Sequence, residues 1–181
     1  MKTLRIVCLA LCVTSLAASV GCAQGAVQAV RGAAEAAGKA ATDARTPLTA
    51  GPEDKQEVTA PGKIDEAASR EFTTTDSGLQ YRILRKGSEK KPQAKDSVVV
   101  HYKGWLDDNS IFDSSYRRGE TIGFPLKGVI PGWTEGMQLV GEGGMIELSI
   151  PFKLGYGLRG SPPAIPPKAQ LHFIVELVKV K

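Results

Sequence analysis

The stretch Val129-Ile130-Pro131-Gly132-Trp133-Thr134-Glu135-Gly136-Met137 determines how the rest of the chain is organised. Proline lacks an N–H and biases the preceding residue toward extended backbone, so we expect Ile130 to end an extended segment and a helix to begin near Pro131. Trp133, Met137 and Val140 then fall at helical spacing on one face of a short helix that stops at Gly141. A free Ile130 amide beside a large indole would form half of a pocket. An ordinary core position is the other interpretation of Trp133.

Length and composition indicate one folded domain with additional sequence in front of it. The chain has 181 residues, and its five Phe, two Trp and four Tyr residues all fall between Phe72 and Phe173. Only that C-terminal part can bury much large apolar surface. The net charge of +4 is small. The basic run from Lys86 to Lys95 contains no aromatic residues, so we interpret it as a solvated loop and expect no nucleic-acid partner.

Residues 1–22 have the pattern of a secretory signal, with a basic start, a short apolar run and small residues at the end. Two cleavage sites are compatible with this pattern, one after Ala23 and one directly before Cys22. The second resembles a bacterial lipoprotein signal, although Ser19 stands where leucine is usual. On that interpretation the mature chain is exported and held at the periplasmic side of the cell envelope by a lipid on Cys22.

Residues 23–71 are predicted to be a tether. Residues 25–41 are mostly alanine, which favours weak helix but provides no stripe of large apolar residues. Residues 46–63 contain three prolines, two glycines and scattered charges, a composition that cannot fold alone. Without an apolar stripe the region lacks a helical dimerisation arm, so we expect a monomer.

Residues 72–181 are predicted to form an α+β domain. Four segments alternate or run apolar over strand-like lengths and are separated by Gly, Pro, Asp and Asn. They are Leu79–Leu84, Val98–Leu106, Met145–Ile150 and Leu171–Val180. With one good helical segment, the economical architecture is an antiparallel β-sheet curled around one short α-helix, with Tyr102 and Phe173 facing the helix.

Five motifs occur in an order and spacing that resemble the FKBP-type peptidyl-prolyl cis–trans isomerases, and the resemblance covers residues 76–181. They are Val99-Val100-His101-Tyr102-Lys103-Gly104, Phe112-Asp113-Ser114-Ser115, Val129-Ile130-Pro131-Gly132-Trp133, Tyr156-Gly157 and Ile165-Pro166-Pro167. The resemblance implies isomerisation of X-Pro bonds in exported client polypeptides, and macrolide inhibitors as possible ligands.

The resemblance also implies an aromatic-lined apolar pocket and its residues. The implied catalytic residues are Tyr102, Phe112, Asp113, Ile130, Trp133, Tyr156 and Phe173. The implied substrate-binding residues are Phe124, Val129, Ile165 and Ile122. Ile122 departs from the aromatic that is frequent at its position, and Ser161 stands where some members have histidine, so both bear on ligand preference.

The expected chemistry requires no cofactor and no metal. Asp113 is the ionisable group that the resemblance places in the pocket, and because isomerisation transfers no proton we expect it to orient the Tyr102 hydroxyl rather than act as a general base. His101 and His172 have no companion ligands at metal-binding spacing. The alternative function is a proline-binding chaperone or interaction module with little catalysis.

Overall fold

The computed structural model describes residues 47–181, so the predicted signal, Cys22 and the alanine-rich part of the predicted tether lie outside the described residues. Seven strands and two α-helices form the fold of these described residues. In chain order they are β1 (Thr73–Thr74), β2 (Gln80–Arg85), β3 (Ser97–Trp105), β4 (Ile111–Ser114), α1 (Ser115–Arg118), β5 (Ile122–Pro125), α2 (Pro131–Met137), β6 (Met145–Ile150) and β7 (Leu171–Val180). Short 3₁₀ turns occupy Leu126–Gly128 and Phe152–Leu154.

All seven strands belong to one antiparallel sheet, in the order β1-β2-β6-β7-β3-β4. β5 also pairs with β3, along Ser97–Val100, whereas β4 pairs with the other end of β3 at Lys103–Trp105. The longest strands, β3 and β7, therefore lie at the centre of the sheet. The predicted α+β class and the antiparallel pairing are confirmed.

One face of the sheet, here called the helix face, carries the main core. Because side chains alternate along a strand, β3 places Val100 and Tyr102 on this face while β7 places Phe173 and Val175 there. α2 packs on the same side through Trp133 and its neighbours. Burying each large apolar side chain of this kind contributes about 1.5–3 kcal/mol.

The opposite face, here called the outer face, carries a second apolar cluster. Its buried members are Leu84, Trp105, Met145 and Ile174, and the partly buried residues packed on them include Leu48, Ala50 and Ile64. Residues 47–65, here called the strap, thus cover the outer face. With both faces covered, all six residues of β6 are buried.

The strap differs from the prediction of a tether that ends at residue 71. Its polar composition cannot support a core of its own, but the sheet supplies the missing apolar surface and the partner charges. Lys103 on β3 is 2% exposed, and its ammonium donates to the Pro52 carbonyl at 2.8 Å. Within the described residues, the strap therefore belongs to the same compact unit as residues 72–181.

The main predicted strands are confirmed. β6 and β7 have the predicted bounds, and β2 and β3 are displaced by one residue from theirs. β1, β4, β5 and α1 were not predicted, because none of them is longer than four residues. Within residues 47–181, no helix is both long enough and apolar enough to cross a lipid bilayer.

Candidate active site

A cavity of about 350 Å³ opens on the helix face, between α2 and the β3–β4–β5 edge of the sheet. Most of its wall is aromatic, with polar groups at Asp113 and at the Gly128–Ile130 backbone. The residues that line it are Tyr102, Phe112, Asp113, Phe124, Gly128, Val129, Ile130, Trp133, Tyr156 and Phe173. Aromatic walls with a few polar groups are typical of small ligand sites in proteins.

Trp133 forms the floor of the cavity and is 4% exposed. Three rings surround its indole in nearly perpendicular packing, with centroids 5.3 Å away for Tyr102, 5.7 Å for Phe124 and 5.3 Å for Phe173. Such edge-to-face pairs contribute about 0.5–1.5 kcal/mol beyond area burial. Among the described residues the buried indole N–H has no hydrogen-bond acceptor. The floor is therefore held by packing rather than by hydrogen bonds.

Two glycines bring α2 close enough to β6 to place Trp133 at the floor. A Cβ at Gly132 would lie 2.5 Å from Ile150 Cγ2, and one at Gly136 would lie 2.7 Å from Leu148 Cδ2. A larger residue at either position would require the facing side chain or α2 itself to move. The glycines thus set the depth of the cavity.

The Ile130 backbone borders the cavity as an extended residue, with φ −61° and ψ 147°. Pro131 occupies the first turn of α2, and the Ile130 carbonyl accepts from the amides of Trp133 at 2.9 Å and Thr134 at 3.2 Å. Within residues 47–181, no acceptor receives the Ile130 N–H. An amide donor thus lies beside the indole, as the local sequence predicted.

One side of the cavity carries Tyr102 and Asp113, and both are hydrogen-bonded to Arg118. These three residues are here called the polar wall. The Tyr102 hydroxyl donates to Asp113 Oδ2, Arg118 Nη1 donates to Asp113 Oδ1 at 2.7 Å, and Arg118 Nη2 donates to the Tyr102 hydroxyl at 3.2 Å. Burial, followed by the hydrogen bond to Asp113, raises the pKa of Tyr102 to about 12. The hydrogen bond to Asp113 likewise raises the pKa of Arg118. The phenol is thus neutral and the guanidinium charged at every pH at which proteins ordinarily stay folded.

A second, larger depression of about 620 Å³ lies elsewhere, between residues 65–69, the loop after β2 and the end of α2. It is lined by no aromatic residue, and its charged groups include both signs, for example Asp65 and Lys86. Volume alone would favour this depression. We assign the ligand site to the smaller cavity because aromatic walls and an unpartnered amide converge only there among the described residues.

Comparison with known protein families supports the same assignment. Residues 88–178 match the family model described as FKBP-type peptidyl-prolyl cis-trans isomerase. The chain belongs to this family. The matched range contains every residue that lines the cavity.

Two relatives from Escherichia coli resemble the chain over its FKBP domain. The chain is 48% identical over 115 residues to the FKBP-type isomerase FkpA of Escherichia coli K12, covering 64% of this chain and 42% of that protein. It is 46% identical over 118 residues to the FKBP-type 22 kDa isomerase of the same organism, covering 65% and 57%. The chain therefore spans about half the length of these relatives.

Solved structures resemble the FKBP domain in fold. The crystal structure of FkpA from Escherichia coli aligns with a TM-score of 0.60 at 48% identity, covering 62% of this chain and 53% of that one. The crystal structure of AtFKBP13 aligns with a TM-score of 0.56 at 31% identity, covering 61% and 99%.

Not every residue predicted for the site lies at the cavity of the FKBP domain. All the predicted catalytic residues line it, together with Phe124 and Val129. Ile165 and Ile122 do not: Ile165 is 5% exposed and packed in the core, and Ile122 pairs with Val100 on β3 and packs against the core. A role for these two residues in substrate binding stays a prediction, and the structure shows their side chains packed in or against the core.

Sequence reasoning missed Arg118 and Gly128. Arg118 belongs to the four-residue helix α1, which has no periodic signal, although a cation five residues after Asp113 is a reason to look for an ion pair. Gly128 precedes the quoted Val129–Trp133 motif and has no side chain to suggest a role.

Proposed function

We propose that this chain is an enzyme that accelerates cis–trans isomerisation of X-Pro bonds in proline-containing polypeptides. The observation that supports the proposal most directly is the unpartnered Ile130 amide beside an aromatic cavity. Family membership supports the same activity. Unaided isomerisation crosses a barrier of about 18–20 kcal/mol and takes tens to hundreds of seconds.

The proposed mechanism uses enclosure and orientation. The prolyl ring packs on Trp133 between the aromatic walls, and the Ile130 N–H and the Tyr156 hydroxyl donate to neighbouring substrate carbonyls. Twisting the amide destroys its resonance and makes its carbonyl less polar, so an apolar cavity favours the twisted state over the planar one relative to water. No bond breaks and no proton is transferred.

Asp113 has a structural role in this mechanism. Its carboxylate accepts from Tyr102 and Arg118, so its oxygens already have partners on the polar wall. A general base would need a substrate proton to remove, and isomerisation offers none. We therefore propose that Asp113 orients the Tyr102 hydroxyl.

A refolding assay with a proline-limited substrate protein tests the activity. We expect the slow refolding phase to accelerate in proportion to enzyme concentration. Titration of a proline peptide provides the second arm, because peptide binding without acceleration would favour the alternative of a binding module. Macrolides that occupy such cavities are expected to inhibit the catalysed phase.

We also propose that the chain is exported, lipid-anchored through Cys22 and monomeric. The signal-like residues 1–22 support export, and the small residues before Cys22 support lipidation. Cys22→Ser should move the protein from the membrane to the soluble exported fraction, because several acyl chains hold a protein firmly to a membrane. Mass spectrometry that finds an unmodified mature chain beginning at Gln24 would contradict the lipid anchor. A dimer in analytical ultracentrifugation would contradict the monomeric state.

A further inference from the structure

The strap contacts the residues that flank the polar wall in sequence. On β3, Lys103 directly follows Tyr102, so their side chains point to opposite faces of the sheet. The Lys103 ammonium is held on the outer face by the Pro52 carbonyl at 2.8 Å and lies 3.0 Å from Glu57 Oε1. Both of these partners belong to the strap.

The same arrangement recurs at α1, where Arg117 directly precedes Arg118. Arg117 Nε donates to Asp54 Oδ2 at 2.6 Å, and the Asp54 side chain is 4% exposed. The Tyr116 carbonyl accepts from the amides of Val58 at 3.0 Å and Thr59 at 3.2 Å. A helix of one turn is not stable by itself, so external contacts of this kind determine where α1 lies.

Glu176 on β7 joins the strap to α1 beneath the outer face. Its Oε1 accepts from the Gly62 amide at 2.8 Å and from the Tyr116 hydroxyl at 2.6 Å. Its Oε2 lies 2.8 Å from Arg85 Nη2. The strap, α1 and the sheet are thus connected through a buried carboxylate.

We propose that Asp54 and Glu57 of the strap are positioning residues for the active site. They hold Arg117 and Lys103 from the outer face and thereby fix Arg118 and Tyr102 in the polar wall. Removing either carboxylate lets α1 or β3 shift, and the shift reaches the cavity through the adjacent residue of the same backbone. The kinetic part of this inference rests on the proposed isomerase activity.

The competing interpretation is that the strap merely covers the apolar outer cluster. Asp65 provides a control in the same strap, because none of its hydrogen bonds reaches α1 or β3. Its amide donates to the Leu84 carbonyl at 2.8 Å, its Oδ2 accepts from the Lys86 amide at 2.8 Å, and its carbonyl accepts from the Ala68 amide at 3.0 Å. Asp65→Asn therefore perturbs the strap without perturbing α1 or β3.

The test compares Asp54→Asn with Asp65→Asn in the whole chain, at a temperature where both variants are folded. We expect a larger loss in Tm for Asp54→Asn, because Asp54 is 4% exposed and paired with Arg117 whereas Asp65 is exposed. Only Asp54→Asn should lower kcat/KM, by about three- to tenfold and mainly by raising KM. This loss is smaller than the roughly 10²-fold that a 1 Å misplacement of a catalytic group can cost. Asp54→Glu, which keeps the carboxylate, should restore most of the loss. Glu57→Gln gives a second variant should Asp54→Asn fail to fold.

An NMR measurement without substrate separates this inference from the proposed activity. The chain has two tryptophans, so its spectrum has two indole N–H signals, and the Trp133 ring packs 5.3 Å from the Tyr102 ring. Asp54→Asn should shift the Trp133 signal, whereas Asp65→Asn should leave it in place. An inactive wild type would contradict the proposed function alone. Equal kinetics and an unshifted Trp133 signal in both variants would overturn the positioning inference.

Discussion

Replacing Gly132 by alanine should damage both the stability and the activity of the domain. Alanine normally stabilises a helix by about 1 kcal/mol relative to glycine. Here its Cβ would lie 2.5 Å from Ile150 Cγ2, where contacting carbon atoms lie about 3.5–4.0 Å apart. α2 must therefore move from β6 by about 1 Å, the difference between these separations.

The expected net loss follows from these opposing effects. Overpacking a core costs about 1–3 kcal/mol, and the Ile150 methyl group has little freedom to move because it is attached to Cβ of a buried strand residue. The cost should therefore lie in the upper part of this range, at about 2–3 kcal/mol. After the gain of about 1 kcal/mol in helix propensity, we expect the free energy of unfolding to fall by about 1–2 kcal/mol. Gly132 lies between Ile130 and Trp133, so a shift of this size should also lower kcat/KM by about tenfold or more.

Urea denaturation and the refolding assay measure the two effects, and a double-mutant cycle tests their cause. Ile150→Ala removes the atoms that the new Cβ would meet, so the double variant should be more stable than the sum of the single losses by at least about 0.5 kcal/mol. Gly123→Ala is the control, because its Cβ would lie 3.9 Å from the Val98 carbonyl oxygen, an ordinary contact. Additive losses, or an unchanged stability of Gly132→Ala, would refute the close-packing explanation.

Three further predictions concern the floor, the polar wall and the buried carboxylate. Trp133→Leu should leave a folded domain with weaker macrolide binding, and unchanged affinity in a calorimetric titration would mean that Trp133 serves only the core. Asp113→Asn should lower kcat by about tenfold or less, whereas loss of a general base typically costs about 10²–10⁴-fold. The rate catalysed by the wild type should be nearly flat with pH. A bell-shaped pH profile in the wild type that is lost in Asp113→Asn would contradict this role for Asp113. Burial alone would raise the pKa of Glu176, but hydrogen bonds from Tyr116, Gly62 and Arg85 outweigh it and lower that pKa. The Glu176 carboxylate therefore stabilises the fold at pH values above its unfolded pKa of about 4.3. This stabilisation is lost as the pH falls through the lower pKa of the folded state. Glu176→Gln should therefore destabilise the domain at neutral pH and flatten its acid unfolding curve.

Much of the helix face could be predicted because its signals are local. Alternation in β6 and β7 gave their bounds, and Pro131 marked the start of α2 through the chemistry of proline itself. The end of α2 was predicted less well, since the helix stops at Met137 although the apolar spacing continues to Val140. The last apolar residues of the pattern, Leu139 and Val140, lie in the turn after α2 and pack against the core from there.

The strap could not be predicted, because its order depends on partners far away in sequence. Asp54 is fixed by Arg117, 63 residues away, and Gly62 by Glu176, 114 residues away. Composition predicts that residues 46–63 cannot fold alone, but it cannot indicate that a sheet supplies an apolar cluster and buried charges for the strap. Arg118 was missed for the same reason, since its role depends on contacts that only the tertiary fold creates.

The central claim is that the cavity between Trp133 and the Ile130 amide catalyses isomerisation, and NMR exchange spectroscopy of a proline peptide tests it most directly. With a catalytic amount of protein, cis–trans cross-peaks should appear within a second, whereas the free peptide exchanges over tens to hundreds of seconds. In the same titration, the Ile130 amide and Trp133 indole signals should shift and saturate together. Cross-peaks that never appear, or saturating shifts confined to the depression near Asp65 and Lys86, would contradict the claim.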